Sequence, residues 1–221
     1  MNLALFDLDH TLLPIDSDYA WGEFTNRIGW NDPVPFKAKN DQFYADYLAG
    51  ALDIHDYVRF ATEAVRLRGP EVAAKAHAQF MKETILPQIK PQALELVKAH
   101  QAAGDHVMIV TATNEFVTRP IAQAFGVQEL IAVELARDSE GWITGEISGV
   151  PSFKEGKVLR VEQWLSAHQK NWQDVQITFY SDSINDLPLL QQAQIPVAVN
   201  PDTRLRQLAT DRGWRILQLF S

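Results

Sequence analysis

The stretch Leu3-Ala4-Leu5-Phe6-Asp7-Leu8-Asp9 constrains the rest of the chain more than any other. An almost unbroken apolar run leaves no polar face for water, so it reads as a strand buried on both sides, as in a parallel sheet. It ends in two carboxylates, Asp7 and Asp9, spaced i, i+2. In open α/β sheets, ligands bind at the carboxyl ends of the strands. Two acids held there against their mutual repulsion ask for a cation or a protonated partner between them. For such a pair taken alone, an acidic strand end that caps a turn is the competing explanation.

Beyond the opening strand the chain is helical in pattern. Ser17 to Trp30 reads as a helix with Ser17 as its N-cap, and helical segments continue through Phe43–Leu48, Asp53–Leu67 and Pro70–Thr84, punctuated by Gly50 and Gly69-Pro70. From Pro91 the texture changes to strand–helix alternation. Strands are expected at His106–Thr111, Leu130–Val133, Val175–Ser181, Pro196–Val199 and Trp214–Leu219. Helices are expected at Pro91–Ala103, Asn114–Phe125 (regular only from about Thr118 because of Pro120), Ser152–His168, from Leu187, and at Asp202–Arg212. Arg137–Gly149 reads as a hairpin turning at Asp138–Gly141. The alternation implies an α/β fold, a doubly wound, Rossmann-like parallel sheet, with an inserted α-helical unit. The expected division is a core of residues 1–14 and 87–221 with a helical insert at 15–86.

Composition serves mainly to exclude. A net charge of −8 argues against nucleic acid as a partner, because phosphate backbones need a basic footprint. No uncharged run is long enough for a bilayer, and Asp7 and Asp9 interrupt the only N-terminal apolar stretch, so no membrane and a soluble, cytoplasmic protein are expected. There are no cysteines, hence no disulfides.

Polar residues stand at several of the expected strand ends: Asp7 and Asp9, Thr111, and Asp182 with Asp186, joined by Lys154 or Lys157 at the start of a helix. Singly, each has a plain reading as a cap, a turn former or a solvated lysine. Together they gather acids, a hydroxyl and an ammonium at one rim. In sequence order, Asp7-Leu8-Asp9-His10-Thr11, Val107–Thr111, Lys157 and Ser181-Asp182-Ser183-Ile184-Asn185-Asp186 resemble the four motifs of the haloacid dehalogenase superfamily of phosphohydrolases. The helical insert resembles the cap of its phosphoserine-phosphatase-like subgroup. Thr111 replaces the commoner serine, Ser181 the commoner glycine, and Lys157 fits the loosest motif best, with Lys154 as a substitute.

The resemblance implies Asp7 as nucleophile and Asp9 as general acid and base. It implies Mg²⁺ held by Asp7, Asp182 and the backbone carbonyl of Asp9, with Thr111, Lys157 and Asn185 on the phosphate and Asp186 in support. His10 is expected to pack or orient. The partner is then a small phosphorylated metabolite. A receiver-type phosphoacceptor module is the non-enzyme alternative. It fits less well, since its acceptor belongs on a third strand and it lacks a cap.

Asp16 lies nine residues after Asp7, at a position that resembles the ammonium-receiving acid of phosphoserine phosphatases; the plain alternative is that it only caps the first helix of the insert. Ala61 stands where their carboxylate-binding arginine is expected, with Arg59 and Arg66 on other helical faces. An ammonium receptor without a guanidinium fork favours a phosphorylated amino alcohol over phosphoserine. Asp18, Trp21, Glu23, Phe43, Tyr44 and Tyr47 add an acidic and aromatic lining suited to a ring. Bacterial proteins of this subgroup resemble histidinol-phosphate phosphatases, and L-histidinol phosphate meets those requirements, so the resemblance implies it as substrate; phosphoserine or a broad range of small phosphate esters are the alternatives. Gly50, Pro14 and Leu86-Pro87 are the expected hinges of the insert.

Overall fold

Strand β1 (Asn2–Phe6) lies inside a six-stranded parallel sheet of order β3-β2-β1-β6-β7-β8 in the computed structural model, which describes residues 1–220. Ser221, the last residue of the expected core, lies outside the described residues. The partners are β2 (His106–Asn114), β3 (Glu129–Val133), β6 (Gln176–Ser181), β7 (Ile195–Val199) and β8 (Arg215–Leu217). Alternation along the strands divides the interior into two cores. Ala4 and Phe6 face one with Trp21, Val97, Ile109 and Val117, while Leu3 and Leu5 face the other with Met108, Val161, Phe179 and Leu190. Both faces of the sheet are therefore covered, which is why its strands read as continuous apolar runs. The growth direction of the sheet reverses between β1 and β6, so a crevice opens at their carboxyl ends.

The insert comprises α1 (Ser17–Arg27), α2 (Pro33–Ala49), α3 (Ile54–Arg68) and α4 (Pro70–Phe80). A π-helical turn at Met81–Ile85 and a 3₁₀ turn at Leu86–Gln88 lead from it into α5 (Pro91–Ala102). Such irregular helix at a junction often marks a hinge, and it coincides with the expected one at Leu86-Pro87. Gly50 has another role: it is the left-handed C-cap of α2, with φ +73°. The remaining helices are α6 (Glu115–Ala124), α7 (Glu155–Ala167), α8 (Leu187–Gln192) and α9 (Thr203–Asp211).

Three of the boundaries that differ from expectation have a local cause. The α1 N-cap is Asp16, whose carboxylate accepts from the Tyr19 amide, and Ser17 is the first helical residue. α6 runs unbroken from Glu115 through Pro120, because the Asn114 side chain caps it and Val117 and Ile121 bury its inner face. α7 starts only at Glu155, since Lys154 takes φ +51° and cannot be helical. The hairpin of β4 (Leu135–Arg137) and β5 (Ile143–Ile147) forms a separate two-stranded sheet. It lies against α3: Arg59 pairs with Glu146 at 3.1 Å and Arg66 donates to the Thr144 carbonyl at 3.0 Å.

Candidate active site

Asp7 comes directly after β1, and its amide extends the sheet by donating to the Tyr180 carbonyl of β6 at 2.9 Å. The side chain meets two donors. Lys157 Nζ lies 2.7 Å from Oδ1, and Thr11 Oγ1 lies 3.4 Å from Oδ2. The same hydroxyl is 3.1 Å from Asp182 Oδ1, so its single proton serves one acid at a time. Lys157 also contacts the Asp186 carboxylate at 2.7 Å, and Ser181 Oγ donates to Asp186 at 2.8 Å.

With a side chain only 2% exposed, Lys157 is a buried ammonium between two carboxylates. Burial opposes its charge, but Asp186 and Asp7 outweigh this and hold its proton more tightly than usual. Burial also raises the proton affinities of the acids. Asp186 is pushed up to about 6 in spite of Lys157. Asp182 goes well above the carboxylate range through burial and the nearby charges of Asp7 and Asp186. Three acids thus share one ammonium, and no Lys or Arg pairs with Asp182 among the described residues.

Asp9 takes no part in these contacts and has partners of its own. Its Oδ1 accepts from the Ser17 amide at 2.7 Å and its Oδ2 from Thr113 Oγ1 at 2.8 Å. Burial, then the charge of Asp16, push its carboxyl up to about 6. Thr111 is buried on β2, and its hydroxyl accepts from the Thr113 amide at 3.1 Å. The pairing of Thr113 with Asp9 is a site contact that the motifs do not mark. Its signal in the sequence is its place two residues beyond Thr111, on the same face of the strand.

The loop before α7 separates the two candidate lysines. Ser152 Oγ ties it to the Thr111 carbonyl at 2.6 Å. A Cβ at position 156 would stand 1.9 Å from the Pro151 carbonyl oxygen, so only glycine permits this tight turn. The turn sends Lys157 to the acids, while Lys154 Nζ donates to the Gly50 carbonyl at 2.6 Å. Asn185 is not brought to Lys157 either: its Nδ2 donates to the Tyr47 carbonyl at 2.9 Å. With Arg204 on the Leu48 carbonyl at 2.8 Å, these donors cap the end of α2, where two cations also meet the negative pole of the helix.

Residues 4–191 match the family model described as haloacid dehalogenase-like hydrolase. The chain belongs to that family. A histidinol-phosphatase from Neisseria meningitidis is 43% identical over 98% of both chains. A solved protein of unknown function from Bordetella pertussis Tohama I shares 46% identity, covers 99% of both chains and superimposes with a TM-score of 0.93. A substrate-bound phosphoserine phosphatase superimposes with a TM-score of 0.65 over 97% of this chain and 91% of its own, at 17% identity, a likeness of fold.

Above the acids of this haloacid dehalogenase-like hydrolase lies a cleft between core and insert, lined by Asp7, Asp9, Asp16, Asp18, Thr111 and Thr113 below and by Phe43, Tyr44, Tyr47, Leu52, Ile54 and Tyr57 above. Among the described residues no Lys or Arg lines it, and His10 is the one basic side chain there. His10 has φ +56°, and its Nε2 is 3.3 Å from the Tyr44 hydroxyl, an orienting contact between core and insert. Trp21 is buried in the interior with Phe24 and Phe80 and does not line the cleft; Glu23 lies on an outer groove. Asp16 lines the cleft while capping α1.

Asp18 is pushed up to about 8 by burial, then by Asp16 and Asp9. The folded values of Asp18, Asp9 and Asp186, about 8, 6 and 6, stand above the 3.8 of an aspartate in the unfolded chain. Between about pH 4 and pH 8 these three acids therefore bind more protons in the folded state and their contribution to stability falls as pH rises, outweighing buried His77, which is held below the usual imidazole range and acts with the opposite sign. The metal-free protein is expected to melt at progressively higher temperature as pH is lowered from 8 toward 5, with a flatter slope between pH 6 and 8 in Asp18→Asn. Scanning calorimetry across that range checks this; a melting temperature that rises with pH would contradict it.

Proposed function

We propose that this phosphatase hydrolyses L-histidinol phosphate through an aspartyl-phosphate intermediate on Asp7. One observation carries the chemistry: Asp7 and Lys157 pair at 2.7 Å beside Asp9, an acid whose pKa is pushed up to about 6. A phosphate monoester is a dianion, so a carboxylate approaches it only where positive charge and donors await the transferring oxygens. Lys157 and the Thr111 hydroxyl are those donors, and Asp186 holds the ammonium in place. An Asp7 oxygen bonds to phosphorus as the bond to the ester oxygen breaks, and Asp9 gives its proton to that leaving oxygen. Asp9, now ionised, takes a proton from water as the water attacks the acyl phosphate, releasing phosphate and restoring both acids.

The donor set suits Mg²⁺. The carboxylates of Asp7 and Asp182 converge on one neutral hydroxyl, Asp182 has no cationic partner among the described residues, and oxygen ligands supplemented by water are what this ion takes. No three His, Cys, Asp or Glu side chains form a cage among the described residues; the resemblance to the family adds the backbone carbonyl of Asp9 to the proposed set. When bound, the ion neutralises charge on the phosphoryl oxygens.

For the substrate, the acid-lined and aromatic cleft favours a cation with a ring. Arg59 and Arg66, the guanidinium groups closest in sequence to the expected carboxylate site, are committed to Asp56, Glu146 and the Thr144 carbonyl. A phosphoserine carboxylate would face Asp9, Asp16 and Asp18 without a partner. The name of the Neisseria meningitidis relative points the same way. The free volume of the cleft, about 40 Å³, holds only a few waters, so substrate entry requires residues 15–86 to move as a cap on the core of residues 1–14 and 87–221. A cytoplasmic location is part of this reading; no helix among the described residues is long and apolar enough to cross a membrane.

The test is kcat/KM, with Mg²⁺ present, for L-histidinol phosphate, L-phosphoserine and glucose 6-phosphate. Histidinol phosphate is expected to lead phosphoserine by about 10²-fold, the scale of a buried charge left without its partner. A preference for phosphoserine would overturn the substrate, and equal rates on all three would make the enzyme a broad phosphatase.

A further inference from the structure

Asp18 is the acid in the cleft that the proposed chemistry leaves without a task. It sits in the first turn of α1, 5% exposed, with Oδ1 accepting from Asn114 Nδ2 at 3.3 Å and the Tyr57 hydroxyl beside it. No Lys or Arg pairs with it among the described residues. The N-terminus of α1 offers it partial positive charge, but an acid serving only the helix dipole gains as much on the surface, without the cost of burial. Buried and lining the cleft, it has neutral donors from Asn114 and Tyr57 but no counter-charge among the described residues.

The cleft is the one side from which a ligand could bring that counter-charge to it. The ammonium of an amino alcohol has a nearer claim on Asp16, which lies between Asp9 and Asp18 in sequence and also faces the cleft. Beside Asp18 stands the ring of Tyr57, and Leu52 and Ile54 add apolar wall to the same cleft, a setting that suits a planar ring better than a hydrated ammonium. We propose that Asp18, held by Asn114 and Tyr57, is the specificity residue that accepts a hydrogen bond from a ring N–H of the substrate. This assignment rests on the reading of the substrate as a phosphorylated amino alcohol bearing an imidazole. The high proton affinity of Asp18 in the empty cleft agrees with it: an acid that resists ionising alone ionises when a protonated ring arrives.

The probe is L-phenylalaninol phosphate, which keeps the ammonium, the phosphate and a ring but has no ring nitrogen. Wild type and Asp18→Asn are compared on it and on L-histidinol phosphate. Wild type is expected to favour histidinol phosphate. The variant is expected to lose about 10- to 100-fold in kcat/KM on histidinol phosphate and under about threefold on phenylalaninol phosphate. Its melting temperature is expected to hold or rise, because removing an unpaired buried carboxylate relieves a cost of folding. Equal losses on both esters, an unchanged ratio, or a variant that melts lower or does not fold would each make Asp18 structural and overturn the assignment. A wild type that prefers phosphoserine overturns the substrate reading, and with it this role. The wild-type ranking thus tests the substrate, and the variant's ratio tests Asp18.

Discussion

Asp7→Asn is expected to lower kcat on any phosphate ester by on the order of 10⁴-fold or more while leaving the fold intact. The amide keeps the size of the carboxylate and an oxygen for Lys157, which lies 2.7 Å from Oδ1. It cannot form the acyl phosphate, and the other carboxylate paired with Lys157, Asp186, follows β6 and not β1. Stability should hold or improve. Asp7, Asp182 and Asp186 are buried together around one ammonium, and Asp7 is among the groups that raise the proton affinity of the other two. Removing one charge relieves that crowding. Steady-state rates, with intact-mass detection of a phosphorylated wild-type chain trapped at low pH, check both halves. Turnover within tenfold of wild type would remove Asp7 as nucleophile.

The largest effect on stability is expected from Lys157→Met. Methionine fills much of the lysine stem's volume but leaves Asp7 and Asp186, each 2.7 Å from the ammonium, without a counter-charge. Breaking a buried pair from one side costs about 3–5 kcal/mol. In a chain of 221 residues that corresponds to a fall in melting temperature of about 10 °C. Activity should fall by about 10²–10³-fold, since a donor to the phosphoryl oxygens is lost. The destabilisation has a pH signature. Asp186 already takes up a proton near pH 6 with the lysine present, and without it the proton is held more tightly. The deficit should therefore shrink as pH is lowered from 8 to 5, where both acids can be neutral, and Asp186→Asn added to Lys157→Met should restore part of it. Urea titrations at the two pH values measure this. A deficit that is constant with pH would mean that Lys157 acts through packing alone.

Much of the fold is legible in the residues alone. Strand β1, the helical insert and the strand–helix alternation arise from periodicity, which reports how residues a few positions apart share a face. Burial on both sides of the sheet shows as the apolar runs of β1, β2 and β6. The convergence of Asp7, Thr111 and Asp182 is implied once those strands are taken as parallel, because parallel strands bring their carboxyl ends to one rim. The shift of the α1 cap from Ser17 to Asp16 lies within what local rules blur, since both residue types can accept from the first helical amides.

The tertiary structure decided what depends on residues distant in sequence. Lys157 is chosen over Lys154 because Gly156 lets the chain turn against the Pro151 carbonyl, a contact with no trace in helical periodicity. Asn185 caps α2 because α2 ends against the core, where its amide finds the Tyr47 carbonyl. The hairpin of β4 and β5 engages Arg59 and Arg66 on α3, and so withdraws both from any substrate carboxylate. Asp18 stands in the sequence as one acid on an amphipathic helix, and became a buried, cation-free carboxylate only when Asn114 of β2 and Tyr57 of α3 closed around it. The type and order of the secondary elements and the identity of the acids are local properties, legible residue by residue. Desolvation and counter-charge are sums over every neighbour in space, so which of those acids stay protonated, and which wait for a ligand, was decided by the packing of α1, α3 and β2.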